Sequence, residues 1–355
     1  MPIVITDADA RRLLSIPEAI EAMRVAFSDL ANGKAANPPR LRYSSGTDDP
    51  ERRYFANIHA GAVESYGTAC VRAGSHFFLM SDRFDDRRTL DNPDPVNWSV
   101  IVLYSLKTGA PLAFLHETFL SGFRVGATSA LGVQQMARAD SHVLGLFGTG
   151  NQALPNCRAI CAVRPIKRVQ VYSTNRENVL NFIEKMSDDK VEVVAMPSPR
   201  DVVEGADIVL CATNSKKPVF EGEWLKPGQM VVSIVNSDVM DKKSEVDETV
   251  FARASDIVVN TWESVVANGQ VELLDPMAKG IVRREQVHEI GDVVNGKVSV
   301  QQTRDNIVYY KNNTGLAIQF AACGAILHDK MQTEGTNRVI PDEWFAAEKY
   351  TSPVG

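Results

Sequence analysis

Two hydrophobic rhythms divide the chain. Between residues 142 and 261, short apolar runs alternate with helical patterns: HVLGLF (142–147), RVQVY (168–172), VEVVAM (191–196), DIVLCA (207–212), MVVSIV (230–235) and DIVVNT (256–261). Each run is short and nearly continuous in apolar character, as strands buried on both faces of a parallel sheet are. The links between them are long enough for crossover helices. This rhythm predicts a doubly wound α/β domain.

The flanks read differently. Residues 15–32 form an amphipathic helix, with Ser15 as its cap, Pro17 in its first turn and Ile20, Met23, Phe27 and Leu30 on one face; Gly33 ends it. NPPRLR at 37–42 reads as a proline-rich bend. Residues 53–80 and 98–115 are rich in β-branched and aromatic side chains and predict antiparallel strands, with a turn at SLKTGAP (105–111). The charged, proline-rich segment 81–97 predicts an exposed loop over the end of that sheet. A helix is expected at 116–139, and another at 311–330 that packs back onto the N-terminal part.

Composition narrows the function. The 355 residues are 44% hydrophobic and 23% charged, enough apolar surface for a sizeable core. Lys and Arg total 38 against 44 Asp and Glu, a formal charge of −6 without basic blocks, which argues against nucleic acid as a partner. No apolar stretch approaches the roughly 20 residues of a membrane helix, and the N-terminus lacks a secretory pattern. The five cysteines include no CxxC pair, and no His beside Cys157 and Cys161 completes a zinc set. The expectation is a cytoplasmic protein with free thiols, no bound metal and no membrane partner.

The first parallel strand runs into Gly148-Thr149-Gly150-Asn151-Gln152-Ala153, a GxGxxA fingerprint placed between a strand and a helix. The first glycine permits the tight turn, the second lets a pyrophosphate approach the backbone, and the small third residue lets helix and strand pack closely. The helix N-terminus then offers its unpaired N–H groups to the phosphates. The next strand ends at VYSTNREN (171–178), where an NAD-preferring fold places an acid on the ribose hydroxyls. Here stand Ser173 or Thr174, then Asn175 and Arg176. Nothing in that stretch repels a 2′-phosphate and Arg176 can pair with one, so NADP(H) is the expected cofactor, with NAD(H) as the other choice.

RVGATSALGVQQMAR (124–138), LGLFGTGNQA and VYSTNREN together resemble the ornithine cyclodeaminase/mu-crystallin family. LYSLKTGAPLAFLHE, CATNS (211–215) and GLAIQFAACGAI extend the resemblance over essentially the whole chain. It implies a substrate and dimerisation domain built from both chain ends (1–127 with 312–355), a central Rossmann domain (128–311) and a homodimer joined through the outer sheets. It also implies the remaining cofactor-binding positions, Asn97, Asn178, Ala212, Thr213, Val235 and Asn313. Arg124 matches an arginine between cofactor and substrate carboxylate, where a guanidinium makes a bidentate clamp. Arg40 matches a second carboxylate-binding arginine, with Arg42 as its rival. Asp238 falls after the fifth Rossmann strand, where some members carry a catalytic acid; Asp241 competes for that role.

Three departures turn the reading away from ornithine cyclodeamination. Arg72 stands where the cyclodeaminases have a lysine, and arginine in effect cannot give up its proton. The preceding strand, FANIHAGA, holds His59 and no acid. Phe320 replaces an acid near the C-terminal end that could hold a distal amine. What remains is an NAD(P)H-dependent reductase of an imine or imino acid derived from a 2-oxo acid, the reverse of an amino-acid dehydrogenase, with Arg40, Arg72, Arg124 and His59 around the substrate. Three arginines exceed what one carboxylate requires, so a second anionic group on the substrate is a further expectation. Two alternatives stand beside this: a cyclodeaminase-type lyase that recycles NAD internally, and a non-enzymatic NADPH-dependent small-molecule-binding protein.

Overall fold

Helices and strands of the N-terminal part begin where the local chemistry dictates. In the computed structural model, which describes residues 1–79, 98–237, 242–312, 315–335, 338–344 and 346, strand β1 (Ile3–Ile5) leads into helices α1 (Asp7–Leu13) and α2 (Ile16–Ala31). Ser15 caps α2 by accepting from the Glu18 N–H, and Glu18 bonds back to Ser15. Met23 and Phe27 on its inner face are fully buried. The strands β2 (Ala35–Ala36), β3 (Leu41–Gly46), β4 (Arg52–Val63), β5 (Thr68–Leu79), β6 (Val100–Ser105) and β7 (Pro111–His116) then complete a seven-stranded sheet with β1. The bend expected over 37–42 is shorter than its prolines suggest. Leu41 and Arg42 already belong to β3, paired with Ile58 and Asn57 of β4. β1 was not read from the sequence; its three residues run parallel to β7.

Helix α3 (Thr118–Met136) crosses to the second sheet. There follow β8 (Val143–Phe147), α4 (Ala153–Val163), β9 (Arg168–Tyr172), α5 (Arg176–Lys185), β10 (Glu192–Ala195), α6 (Pro199–Val203), β11 (Ile208–Cys211) and β12 (Gln229–Ser233). The chain continues through α7 (Glu248–Arg253), β13 (Asp256–Val259), α8 (Trp262–Ala267), α9 (Val271–Ala278), β14 (Val287–Glu289), α10 (Ile290–Val294) and β15 (Ile307–Lys311) to α11 (Ala317–Glu334). The sheet is eight-stranded, in the order β10-β9-β8-β11-β12-β15-β13-β14, with parallel pairing at every junction. All six strands expected from the apolar runs are present. The chain adds β14, too short to show a pattern, and β15, which inserts between β12 and β13. The helix expected at 311–330 is displaced: Lys311 is the fully buried last residue of β15, and the helix runs from Ala317 to Glu334.

Helix α11 returns from the second sheet to cover the inner face of the first. Its backbone accepts from Thr68 and Cys70 of β5, at Ala321 O (3.1 Å) and Ala317 O (3.2 Å). Gly61 of β4 makes this approach possible, since a Cβ there would lie 2.8 Å from that of Ala317. Among the described residues no helix covers the opposite face of the sheet. Strand alternation places Val71 and Phe77 of β5 on that face, and both are exposed. Tyr54 lies between Tyr43 and Phe77, with ring centroids 6.2 and 5.9 Å apart. Among the described residues no helix is long and apolar enough to cross a membrane.

Candidate active site

A cleft of about 930 Å³ opens between the carboxyl ends of the parallel strands and the inner face of the antiparallel sheet. That is where an open α/β sheet presents its loops to a ligand, and the volume suits a dinucleotide with a small partner.

The cofactor half is built by the segments that follow β8, β9, β11, β12 and β15. Gly148, Thr149, Gly150, Asn151 and Gln152 line the cleft after β8. Gly148 has φ +92°, and a Cβ there would sit 2.5 Å from the Ala212 carbonyl, so only glycine fits the turn. At Gly150 a Cβ would meet nothing within 4 Å, which leaves the backbone open for a pyrophosphate. Ala153 is fully buried where α4 begins. After β9, Ser173, Thr174 and Asn178 line the cleft, but Asn175 and Arg176 do not. Asn175 instead caps α5, accepting from the Asn178 N–H at 3.1 Å, and Arg176 is exposed in the first turn of that helix. Ala212, Thr213 and Val235 line the floor, joined by Asn214, Asn236 and Asn312, which the sequence did not single out.

Beneath that floor lies a buried ionisable cluster that sequence reasoning missed. Glu245 accepts from the Thr213 N–H (2.6 Å) and hydroxyl (2.7 Å), from Ser233 Oγ (2.9 Å), and from the N–H groups of Ile234 (3.0 Å) and Val235 (2.9 Å). Its neighbour Glu272 pairs with Lys311 and accepts from the Tyr309 hydroxyl at 3.1 Å. Burial, aided by Glu272 and opposed by Lys311 and Thr213, pushes the Glu245 carboxyl up to about 7.

The substrate half gathers charge. Arg40, Arg72, Arg124 and His59 all line it, while Arg42 does not. His59 and Arg72 face each other across the β4–β5 pair, with Arg72 folded over Gly74 and donating to the Asn57 carbonyl at 3.2 Å. Arg124, on α3, donates through Nη1 to Gln319 Oε1 at 2.6 Å and lies over the Phe320 ring, 4.8 Å from its centroid. Gln319 is itself fixed by Thr128 Oγ1 at 2.7 Å. The Arg124 Nε is buried and makes no hydrogen bond, so the Nε–Nη2 edge of the fork is left for a carboxylate. Desolvation first, then Arg72, lowers the Arg124 guanidinium to about 10, although Glu117 opposes the shift. Burial, then Arg72, Arg124, Arg40 and Arg42, holds His59 well below its ordinary 6.5, so its ring is neutral at neutral pH. Arg40 donates to Asn236 Oδ1 at 3.0 Å and so bridges the two halves.

Glu117 was not anticipated. It is 1% exposed, lines the cleft, and pairs with Arg72 Nη2 at 3.1 Å. One of the three arginines is therefore already countered, and counting arginines overstates the negative charge the site asks of a substrate. Asn97, Asp238, Asp241 and Asn313 lie outside the described residues.

The sequence profile of the ornithine cyclodeaminase/mu-crystallin family matches residues 2–335. The alanine dehydrogenase of Archaeoglobus fulgidus is 27% identical over 345 residues, 95% of this chain and 98% of that protein. Thermococcus litoralis Delta(1)-pyrroline-2-carboxylate reductase, solved in complex with NADH and L-proline, superposes with a TM-score of 0.82 at 27% identity, over 95% of this chain and 100% of that one. An archaeal alanine dehydrogenase dimer with bound NAD shares the fold, with a TM-score of 0.80 at 24% identity over 94% and 97% of the two chains.

Proposed function

The chain belongs to the ornithine cyclodeaminase/mu-crystallin family, and on that premise we propose that it is an NAD(P)-dependent oxidoreductase that reduces the C=N bond of an imine or imino acid derived from a 2-oxo acid. The observation that carries the proposal is the buried, unpartnered Nε of Arg124, a residue that lines the same cleft as the Gly148–Gln152 loop. A bound nicotinamide dinucleotide supplies the hydride. The Gly148–Gln152 loop holds its phosphates, Thr213, Val235 and Asn312 bound the floor, and Arg124 fixes the substrate carboxylate so that the reacting carbon is held in one orientation. Asp238, with Asp241 as its rival, is the proposed proton donor.

NADP(H) is the proposed preferred cofactor. Among the described cleft residues at the end of β9 stand Ser173, Thr174 and Asn178, and none is acidic. The protein is further proposed to act in the cytoplasm as a homodimer. The exposed apolar face carrying Tyr43, Val71 and Phe77 suits a partner copy, and light scattering showing a stable monomer at micromolar concentration would rule that out. A cyclodeaminase reading finds less support, because the position taken by lysine in those enzymes is Arg72, bound to Glu117.

The test is a screen of 2-oxo acids against ammonia and small amines, with NADPH and NADH compared, following nicotinamide absorbance and ammonia together. Loss of reduced cofactor that depends on both the oxo acid and the amine is expected. Ammonia release without net change in absorbance would point to the lyase, and binding without turnover to the non-enzymatic alternative.

A further inference from the structure

We propose that Glu117 binds the nitrogen of the amino or imino acid in this cleft, opposite the arginine that binds its carboxylate; the assignment rests on reading the cleft as a site for imino acids. Glu117 directly precedes helix α3. Its side chain makes no capping bond to that helix. Its Oε2 pairs with Arg72, and its Oε1 is buried with no hydrogen-bond partner. A buried carboxylate oxygen without a donor costs free energy that a ligand N–H can offset.

Electrostatics points the same way. The charged residues among the described cleft lining are Arg40, Arg72, Arg124 and Glu117. An imine accepts hydride more readily once its nitrogen is protonated, and a protonated nitrogen among guanidinium groups is repelled. Glu117 is the one anion in that described set. Held by its carboxylate on Arg124 and its nitrogen on Glu117, a substrate is fixed at two points on either side of the carbon that receives hydride. The same arrangement sets specificity. A 2-hydroxy acid offers no cation to Glu117, so the site discriminates nitrogen from oxygen at that atom.

Binding measures this without turnover. The protein saturated with reduced cofactor, with which an amino acid or hydroxy acid cannot react, is titrated with three pairs differing only in nitrogen or oxygen: L-alanine and L-lactate, L-proline and (S)-tetrahydrofuran-2-carboxylate, L-aspartate and L-malate. The wild type is expected to favour the nitrogen member of at least one pair by about tenfold or more. In Glu117→Gln, which keeps the shape and an oxygen for Arg72, that preference should fall to within about twofold, with the oxygen member's affinity nearly unchanged. Equal weakening of both members would mean that Glu117 only supports Arg72, and would overturn the proposal. So would an unchanged preference in the variant, or no preference in any wild-type pair. If the Gln variant does not fold, Glu117→Asp, which keeps the charge but withdraws it by one methylene, is read by the same criterion. A wild type that discriminates nitrogen from oxygen yet reduces no imine would unseat the reductase reading and leave Glu117 in place.

Discussion

Glu245 accepts both the backbone N–H and the hydroxyl of Thr213, so a carboxylate that does not line the cleft fixes a residue that does. The same carboxylate takes the N–H groups of Ile234 and Val235, which line the cleft from the neighbouring strand. Two loops of the cofactor floor thus hang from one buried acid.

That acid predicts a pH dependence of stability with a definite sign. Its carboxyl titrates near 4.5 when unperturbed and at about 7 in the fold. Between those values the folded state binds the proton that the unfolded state releases. The contribution is therefore fully present below pH 4.5 and is lost as pH rises through 7, by on the order of 3 kcal/mol. His59 acts in the opposite sense. Its folded value lies well below 6.5, so its contribution is present above 6.5 and lost as pH falls. The wild-type profile mixes the two, and a variant separates them. In Glu245→Gln, denaturant midpoints at pH 5 and pH 8 should show the wild type losing stability relative to the variant as pH rises. A difference independent of pH would mean that Glu245 does not titrate in this range.

Cofactor choice is the next expectation. Ser173 and Thr174 bring hydroxyls, not a carboxylate, to the cleft after β9. NADPH should bind more tightly than NADH in direct titrations. Ser173→Asp places a negative charge at the strand end and should reverse the order by repelling a 2′-phosphate while leaving NADH affinity within a few-fold. Arg176→Ala tests the remaining arginine. Since Arg176 is exposed beyond the cleft lining, its effect on NADPH should be smaller than that of Ser173→Asp. An NADH affinity equal to or better than that for NADPH in the wild type would remove the premise.

The parts legible in the sequence are those whose chemistry is contiguous. The GxGxxA turn packs its roles into six neighbouring residues, and the six apolar runs each announce a strand by themselves. Arg124 stood out because RVGATSALGVQQMAR resembles the family's sequence there, and because a guanidinium suits a carboxylate. Glu117 did not, because an acid at a helix start is what the dipole favours on any helix, and its partner Arg72 lies on a distant strand. Glu245, Glu272 and Lys311 were hidden for a related reason. In the string KKSEVDE a buried acid is indistinguishable from its exposed neighbours, and Lys311 reaches Glu272 only because β15 inserts beside β12. Buried charge is a property of topology, which apolar periodicity does not encode.

Arg124 should carry the carboxylate. Arg124→Lys keeps a charge but loses the fork and the flat face over Phe320. A fall of about tenfold or more in kcat/KM for the best imine is expected, with cofactor affinity changed much less. Arg124→Met should be worse. Wild-type kcat/KM in the lysine variant would shift the clamp to Arg40 or Arg72.

Gly315 supplies an independent check on the same geometry without touching the arginine. A Cβ on residue 315 would fall within 2.6 Å of the Arg124 Cζ, too close for the guanidinium to stay where it is. The backbone of Gly315 is not in the left-handed region, so alanine there meets no conformational penalty. The obstructed group is the far end of a long side chain and can move aside, unlike a packed backbone. Gly315→Ala should therefore fold with a melting temperature close to that of the wild type. It should nevertheless pull the fork off Gln319 and out of line with the cleft, since the contact at Gln319 is fixed by Thr128 behind it. The expected kinetic signature is a KM for the imine raised by about tenfold or more, with unchanged dissociation constants for both reduced cofactors. If Gly315→Ala retained wild-type KM, Arg124 would not be the group that meets the substrate.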